Sequence, residues 1–468
     1  MSVGLQIVIF VAFGFIAYRS AWLALLLVLV ISCSFGFVSE LASIELNPGN
    51  INLTEIVVLV LLVRTIRQTP PTKNDPVYTI CLLLIGWLTI SAILSVIAGD
   101  AGGREAYRIV MKIAVFWIIP ITVREFSGKQ KRRLMLACFF LASAVSAIQL
   151  YSMLTENTAL LAFLYPESMS TAYGYQGAGE YYSAIFRRGD IPRIYTPVNI
   201  ITKMVFASAV CLLAMRAREM RRTWLWVPMT VTGMFTIYLG GRSDSVALVV
   251  TIIMALWVVY TTVEVRMHRK IIGILMVPIV AIVVIASIQS AGEMSELRVF
   301  DNVIERWGTL PGGGIVLDTR LEDTLEAWDY LLASPLWGIG RHKVHWEPTM
   351  ITYGGQDVHP FVCQGLIGGF PAIILVLLLF WMVFREWLSR IRDVRTKGQS
   401  DYLAMAAGPA LIVGVVLSAI NTTNVLMYAN AQVPLGIYLG LVLRHDERDE
   451  RVSRASEEAS TDRTLSLR

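Results

Sequence analysis

Apolar runs of bilayer length recur from one end of this chain to the other, and nothing else restricts its fold as strongly. They fall at about 3–18, 20–38, 54–66, 77–98, 107–123, 134–154, 196–215, 223–240, 243–263, 271–289, 360–384, 403–420 and 430–443. A helix needs about 20 apolar residues to cross a bilayer. About thirteen runs reach or approach that length, so the sequence predicts an all-α, polytopic membrane bundle of about 12–14 transmembrane helices. The first two runs are divided only by Arg19. Only 16% of the residues are charged, against about 25% in soluble globular proteins. There is no basic segment before the first run, so it does not read as a cleavable signal.

Short basic linkers orient the spans. Arg64, Arg67 and Lys73 form one cluster, and Arg124, Lys129, Lys131, Arg132 and Arg133 a second. Arg216, Arg218, Arg221 and Arg222 form a third, Arg266, Arg269 and Lys270 a fourth, and Arg385, Arg390, Arg392, Arg395 and Lys397 a fifth. With the spans above, all five fall on one face, which the positive-inside rule makes cytoplasmic. Residues 1–443 thus read as a single transmembrane domain, and 444–468 as a disordered cytoplasmic tail. The other face receives two large loops, 155–195 and 291–358. The second carries five basic and eleven acidic residues, a net charge of −6. No tandem repeat and no separate soluble domain is evident.

The five cysteines, Cys33, Cys81, Cys138, Cys211 and Cys363, lie in or beside apolar runs and read as small buried residues. No P-loop, zinc motif, Gly-x-Ser-x-Gly or dinucleotide fingerprint is present, and no metal, cofactor or nucleic-acid partner is expected. Chemistry is carried instead by ionisable groups at the outer face, where a charge in or near lipid is costly. Arg104, Arg108 and Lys112, at i, i+4 and i+8, form a cationic stripe that fits a lipid diphosphate or, alternatively, snorkels to headgroups. Arg187, Arg188 and Arg193 precede the span that carries Lys203; their forks match phosphate oxygens, and the bland alternative is a solvated loop. Arg242 follows Gly240 and Gly241 at a short turn between spans, with Asp244 as a structural partner in the alternative reading. The last set is Arg320, Arg341, His342, His345 and His359. His359 stands at the head of a span and suits acid–base work, although a lone histidine also serves structure. His345 is its competitor.

The stretch from Asp318 to Phe370 is the most informative. Thr319 and Glu322 make a capping box. Leu321, Leu325, Trp328 and Leu332 then share one face of a short amphipathic surface helix. Ser334-Pro335 stops it, and Gly338 and Gly340 follow as a bend. Trp307, Trp328, Trp337, Trp346 and Tyr353 supply sugar-stacking platforms or interfacial anchors.

Three stretches together resemble the bacterial O-antigen ligase and polymerase superfamily. They are Arg193 to Asn199, which runs Arg-x-x-x-Pro-x-Asn into a span; the Gly241-Arg-Ser turn; and Arg320-Leu-Glu…Ala-Trp…Ser-Pro-Leu-Trp-Gly-Ile-Gly, then His359 with Gly365-Leu-Ile-Gly. Pro360 and Phe361 follow the histidine where the family usually has asparagine or serine and an aromatic. The resemblance covers roughly Thr54 to Leu443. It implies a metal-independent glycosyltransferase of the bacterial inner membrane with its active site on the periplasmic face. The donor would be a glycan on undecaprenyl diphosphate. The acceptor would be a lipid A–core sugar or another lipid-linked glycan, with other polysaccharide-assembly proteins as further partners. In that frame His359 is the base on the acceptor hydroxyl, and Arg193 and Arg242 stabilise the leaving diphosphate. Arg104, Arg108, Arg187, Arg320, Arg341 and His345 are assigned to binding diphosphate or glycan. A polysaccharide flippase or transporter, and a peptidoglycan-type polymerase centred on an outer-loop carboxylate such as Asp318 or Asp323, are the alternatives.

Overall fold

The computed structural model describes residues 3–33, 43–46, 49–68, 75–99, 103–155, 187–188, 191–192, 199–215, 222–238, parts of 250–261, 324–325, 327–338, 360–397, 401–420 and 429–444. Helices dominate them. α1 (Val3–Arg19) and α2 (Ala21–Cys33) are separate helices, because Ser20 turns the chain and its hydroxyl accepts from the Leu23 N–H. A small antiparallel hairpin, β1 (Ser43–Leu46) with β2 (Gly49–Asn52), leads into α3 (Leu53–Gln68). α4 (Pro76–Ile97) starts on Asp75, whose side chain accepts from the Tyr78 N–H at 3.1 Å, with Pro76 in the first turn. α5 (Gly103–Ile109) passes through a π-helical turn, Val110–Ala114, and a 3-10 turn, Val115–Ile118, into α6 (Ile119–Arg124). α7 (Gly128–Thr155) opens on a capping pair, with Gln130 accepting from Ser127 N and Ser127 Oγ from Gln130 N.

A two-residue hairpin, β3 (Arg187–Arg188) with β4 (Ile191–Pro192), precedes α8 (Asn199–Ala214) and α9 (Arg222–Tyr238). Residues 324–325 and 327–333 are helical. α10 (Pro360–Lys397), α11 (Tyr402–Ile420) and α12 (Ala429–Val442) complete the bundle. Among the described residues four stretches are long and apolar enough to cross a membrane: Pro76–Ile97, Ala106–Arg124, Gly128–Ser152 and Phe361–Val394. Large apolar side chains face outward from them, among them Leu83, Ile90, Ile93, Phe140, Ile374, Leu377 and Trp381. Such a surface suits lipid rather than water.

One end of the bundle is basic and internally tied. Arg64 donates to the Tyr18 carbonyl at 2.9 Å, and Trp22 Nε1 to the Gln130 carbonyl. Arg124 pairs with Asp75 at 2.5 Å and Glu125 at 2.9 Å. Lys131 Nζ donates to the Leu443 carbonyl at 3.1 Å. Arg390 pairs with Asp401, and Arg444 with Glu386 and Asp393. These contacts bring the first, second and fifth basic clusters and the start of the C-terminal segment to one end. The run at 271–289, the cluster at Arg266–Lys270 and residues 445–468 lie outside the described residues.

Candidate functional site

The features that bear on function lie in the opposite half of the bundle. The first is built on Glu55, in the opening turn of α3. Its carboxylate accepts from the Asn52 N–H at 3.3 Å and from Asn52 Nδ2 at 3.2 Å, so Asn52 and Glu55 close the helix N-terminus together. It also accepts from the Tyr107 hydroxyl at 2.7 Å and pairs with Lys112 at 3.4 Å. Glu55 is 2% exposed. A carboxylate is stable at such burial only when its oxygens are filled, as these are.

This arrangement gives one member of the cationic stripe expected from spacing a partner within the protein. The i, i+4, i+8 pattern presumes 3.6 residues per turn throughout. Lys112 lies inside the π-helical turn at Val110–Ala114, where the turn is wider, and pairs with Glu55. Arg108 is half-buried one turn earlier, and Arg104 lies on α5 a further turn towards the chain's entry. Glu55 and Tyr107 are the residues that spacing missed. The available signal was an Asn-Leu-Thr-Glu cap running straight into an apolar span.

The second feature is a set of buried polar side chains. Gln149 and Ser152 come from the last turns of α7, Thr202 and Lys203 from the start of α8, Gln364 from the start of α10 and Gln432 from the start of α12. Lys203 is 3% exposed. Contacts of α8 with α7 and α12, and of α10 with α12, join these helices, and Ser146 and Thr202 share a hydrogen bond at 3.4 Å. The β3–β4 hairpin, which carries Arg187 and Arg188, lies on the chain just before α8. Of these only Lys203 is ionisable, and an ionisable side chain inside an apolar bundle is the candidate for function, while Ser, Thr and Gln also serve to join helices.

The third feature joins the two halves of the glycine-rich motif. After the helix over 327–333, Ser334 bends the chain; its Oγ donates to the Gly338 carbonyl at 2.7 Å, and Gly338 N to the Ser334 carbonyl at 2.9 Å. α10 is broken at Gly368 and Gly369, the latter at φ 67°, ψ −172°. The turn seats in that break. The Phe370 N–H donates to the Pro335 carbonyl at 2.8 Å, and Trp87 Nε1 donates to the Gly368 carbonyl at 2.6 Å. A Cβ on Gly369 would stand 2.1 Å from the Leu336 carbonyl oxygen, and one on Gly338 2.3 Å from that of Leu366. Both positions also have positive φ, so only glycine satisfies them.

The helix over 324–333 docks by a different face from the one its sequence periodicity picks out. Ala327 and Leu331 are buried, with Leu331 against Gly365, while Leu325, Trp328 and Leu332 face outward. The Trp328 ring alone reaches back, edge-on to Phe370 at 5.6 Å. Ser334-Pro335 ends the helix as expected.

His359 immediately precedes Pro360, where α10 begins. It lies outside the described residues, as do Arg193, Arg242, Asp244, Arg320, Arg341, His342, His345 and the Thr319/Glu322 capping pair. No family model, no curated protein and no solved structure matches the chain.

Proposed function

We propose that the chain is a polytopic glycosyltransferase of 12–14 spans in a bacterial inner membrane, with the basic end in the cytoplasm and the opposite end outside. It transfers or polymerises a glycan from an undecaprenyl-diphosphate carrier. The observation that carries this reading is the seating of the Ser334–Gly338 turn in the Gly368–Gly369 break. Two stretches that the family resemblance links only by order are a single packed unit, directly below the head of α10. The reaction expels a diphosphate, so it needs cations where charge develops and a base on the acceptor hydroxyl. Arg193 and Arg242 fill the first role and His359 the second. Arg320, Arg341 and His345 position the glycan, and Arg104, Arg108 and Arg187 assist at the carrier headgroup. The buried polar ends of α7, α8, α10 and α12 support a site at this end of the bundle.

The test is the glycan profile of a deletion strain. Polymer stranded on the lipid carrier identifies a ligase, and accumulated single repeats identify a polymerase. An unchanged surface glycan with no lipid-linked intermediate refutes the reading. In the purified enzyme His359→Ala is expected to slow transfer at least about a hundred-fold, the lower end of the range for a lost general base. His345→Ala is expected to act more mildly.

A further inference from the structure

The break in α10 has a measurable depth. Trp87, which donates to the Gly368 carbonyl, is the twelfth residue of the 22-residue helix Pro76–Ile97. At 1.5 Å per residue that helix is about 33 Å long, close to the hydrocarbon thickness of a bilayer, so Trp87 is near its middle. A Cβ on Gly368 would also touch Leu88, at 2.8 Å. The Pro335–Trp337 turn rests on Gly369 and Phe370 and therefore lies at the same level. Gly338 then returns along α10 to Gly365 and Leu366, one turn nearer the helix head. The outer loop thus descends, turns near mid-depth and rises again.

The stripe that the protein leaves uncovered is apolar along its length. Leu325 is 55% exposed, Trp328 39%, Leu332 53%, Leu336 52% and Trp337 41%. Below the break it continues onto the outward faces of Ile374, Leu377, Leu378 and Trp381 of α10. We propose that residues 324–338 form a re-entrant element inserted in the membrane, whose stripe is covered by acyl chains of the outer leaflet. Irregular backbone survives at that depth only where protein satisfies it. Here the two interruptions satisfy each other: Pro335 accepts from Phe370, Ser334 and Gly338 bond mutually, and Trp87 takes the Gly368 carbonyl. Asp329, exposed beside the stripe, is four residues before the helix end at Ala333, about 6 Å along the helix. A helix that rises from the turn brings that carboxylate towards the headgroups, where charge is favoured, while the Trp328 ring stays edge-on to Phe370 beside the break.

This inference rests on the membrane reading of α4 and α10 and not on the catalytic one; loss of either leaves the other standing. The test uses full-length protein in lipid nanodiscs, with its five cysteines replaced and a nitroxide label placed singly by Leu325→Cys, Leu332→Cys or Leu336→Cys. Collision rates with oxygen and with a water-soluble nickel chelate report depth. All three labels are expected to be open to oxygen and shielded from nickel, with Leu336→Cys deepest and Leu325→Cys shallowest. Nickel access at every label would overturn the proposal in favour of an aqueous loop. Equal, shallow depth would overturn it in favour of a helix flat on the surface. Shielding from both reagents, with dipolar broadening between labels, would mean that a second copy covers the stripe. Hydrogen exchange of residues 331–338 in the unsubstituted protein is an independent measure. Slow exchange in nanodiscs that becomes fast in detergent supports insertion, and fast exchange in both refutes it.

Discussion

Replacing Gly369 by alanine tests the unit at the centre of the site. Its backbone, at φ 67°, ψ −172°, occupies a region nearly reserved for glycine; a side chain there costs about 1–3 kcal/mol. The new Cβ would meet the Leu336 oxygen at 2.1 Å and the Pro335 oxygen at 2.6 Å. Carbon and oxygen in contact stand about 3.3 Å apart, so the turn must withdraw by about 1 Å. That displacement breaks the Phe370–Pro335 hydrogen bond and leaves the amide unsatisfied, for about a further 1–3 kcal/mol. The combined cost, about 2–6 kcal/mol, falls on the docking of residues 334–338 rather than on the whole bundle. Hydrogen exchange read at the Phe370 amide is the assay. Gly369→Ala should speed it at least about thirty-fold, the factor equivalent to 2 kcal/mol. Gly86→Ala, in mid-helix with nothing within 4 Å of the new Cβ, is the control and should leave exchange at Phe370 unchanged. An unchanged Phe370 amide in Gly369→Ala, with normal membrane levels, would refute the account of the break.

Three further outcomes are expected. Glu55→Ala strands Lys112, the Tyr107 hydroxyl and the Asn52 amide and should cost about 1–3 kcal/mol in thermal melts; adding Lys112→Ala should recover part of that, and full additivity would mean that the pair is not coupled. Reporter fusions at Gln176 and Arg468 should read outside and inside respectively; a cytoplasmic signal at Gln176 would reverse the orientation drawn from the basic end. Arg242→Lys should lose most transfer activity although the charge is kept, since an ammonium cannot replace a two-pronged contact to phosphate oxygens; near-normal activity would favour a structural pair with Asp244.

The apolar runs carried most of the fold because length and hydropathy act additively over some twenty residues, and local exceptions do not cancel them. Even the division at Arg19 was readable, as Ser20 is an N-cap. Spacing was silent where a single turn departs from the α-helix. Nothing in Val110–Ala114 separates a π-helical turn from an α-helical one by composition, and the Lys112–Glu55 pair made inside it was not legible from spacing. The helix over 324–333 shows what periodicity leaves open. Periodicity found the apolar stripe correctly, but in lipid such a stripe is not obliged to face the protein. Without a hydrophobic force between helices, the docking face goes where small residues let elements approach, here Leu331 against Gly365 of α10, with Ala327 also buried.

The two ends of the bundle also show why counting charges locates a site poorly. At the basic end Arg124 and Arg390 are well buried, at 11% and 8% exposure, but each is bracketed by two carboxylates from its own or an adjoining helix. Their burial is explained by those partners, and they fasten helix ends together. In the opposite half the sequence offers fewer cations, and they enter the bundle itself: Lys112 in the π-helical turn and Lys203 within the opening turns of α8. Apolar residues would pack those positions at lower cost, since a desolvated ion pair seldom outperforms a hydrophobic replacement of the same volume. Lys112 is offset by Glu55 at 3.4 Å, as the buried arginines of the basic end are by their carboxylates.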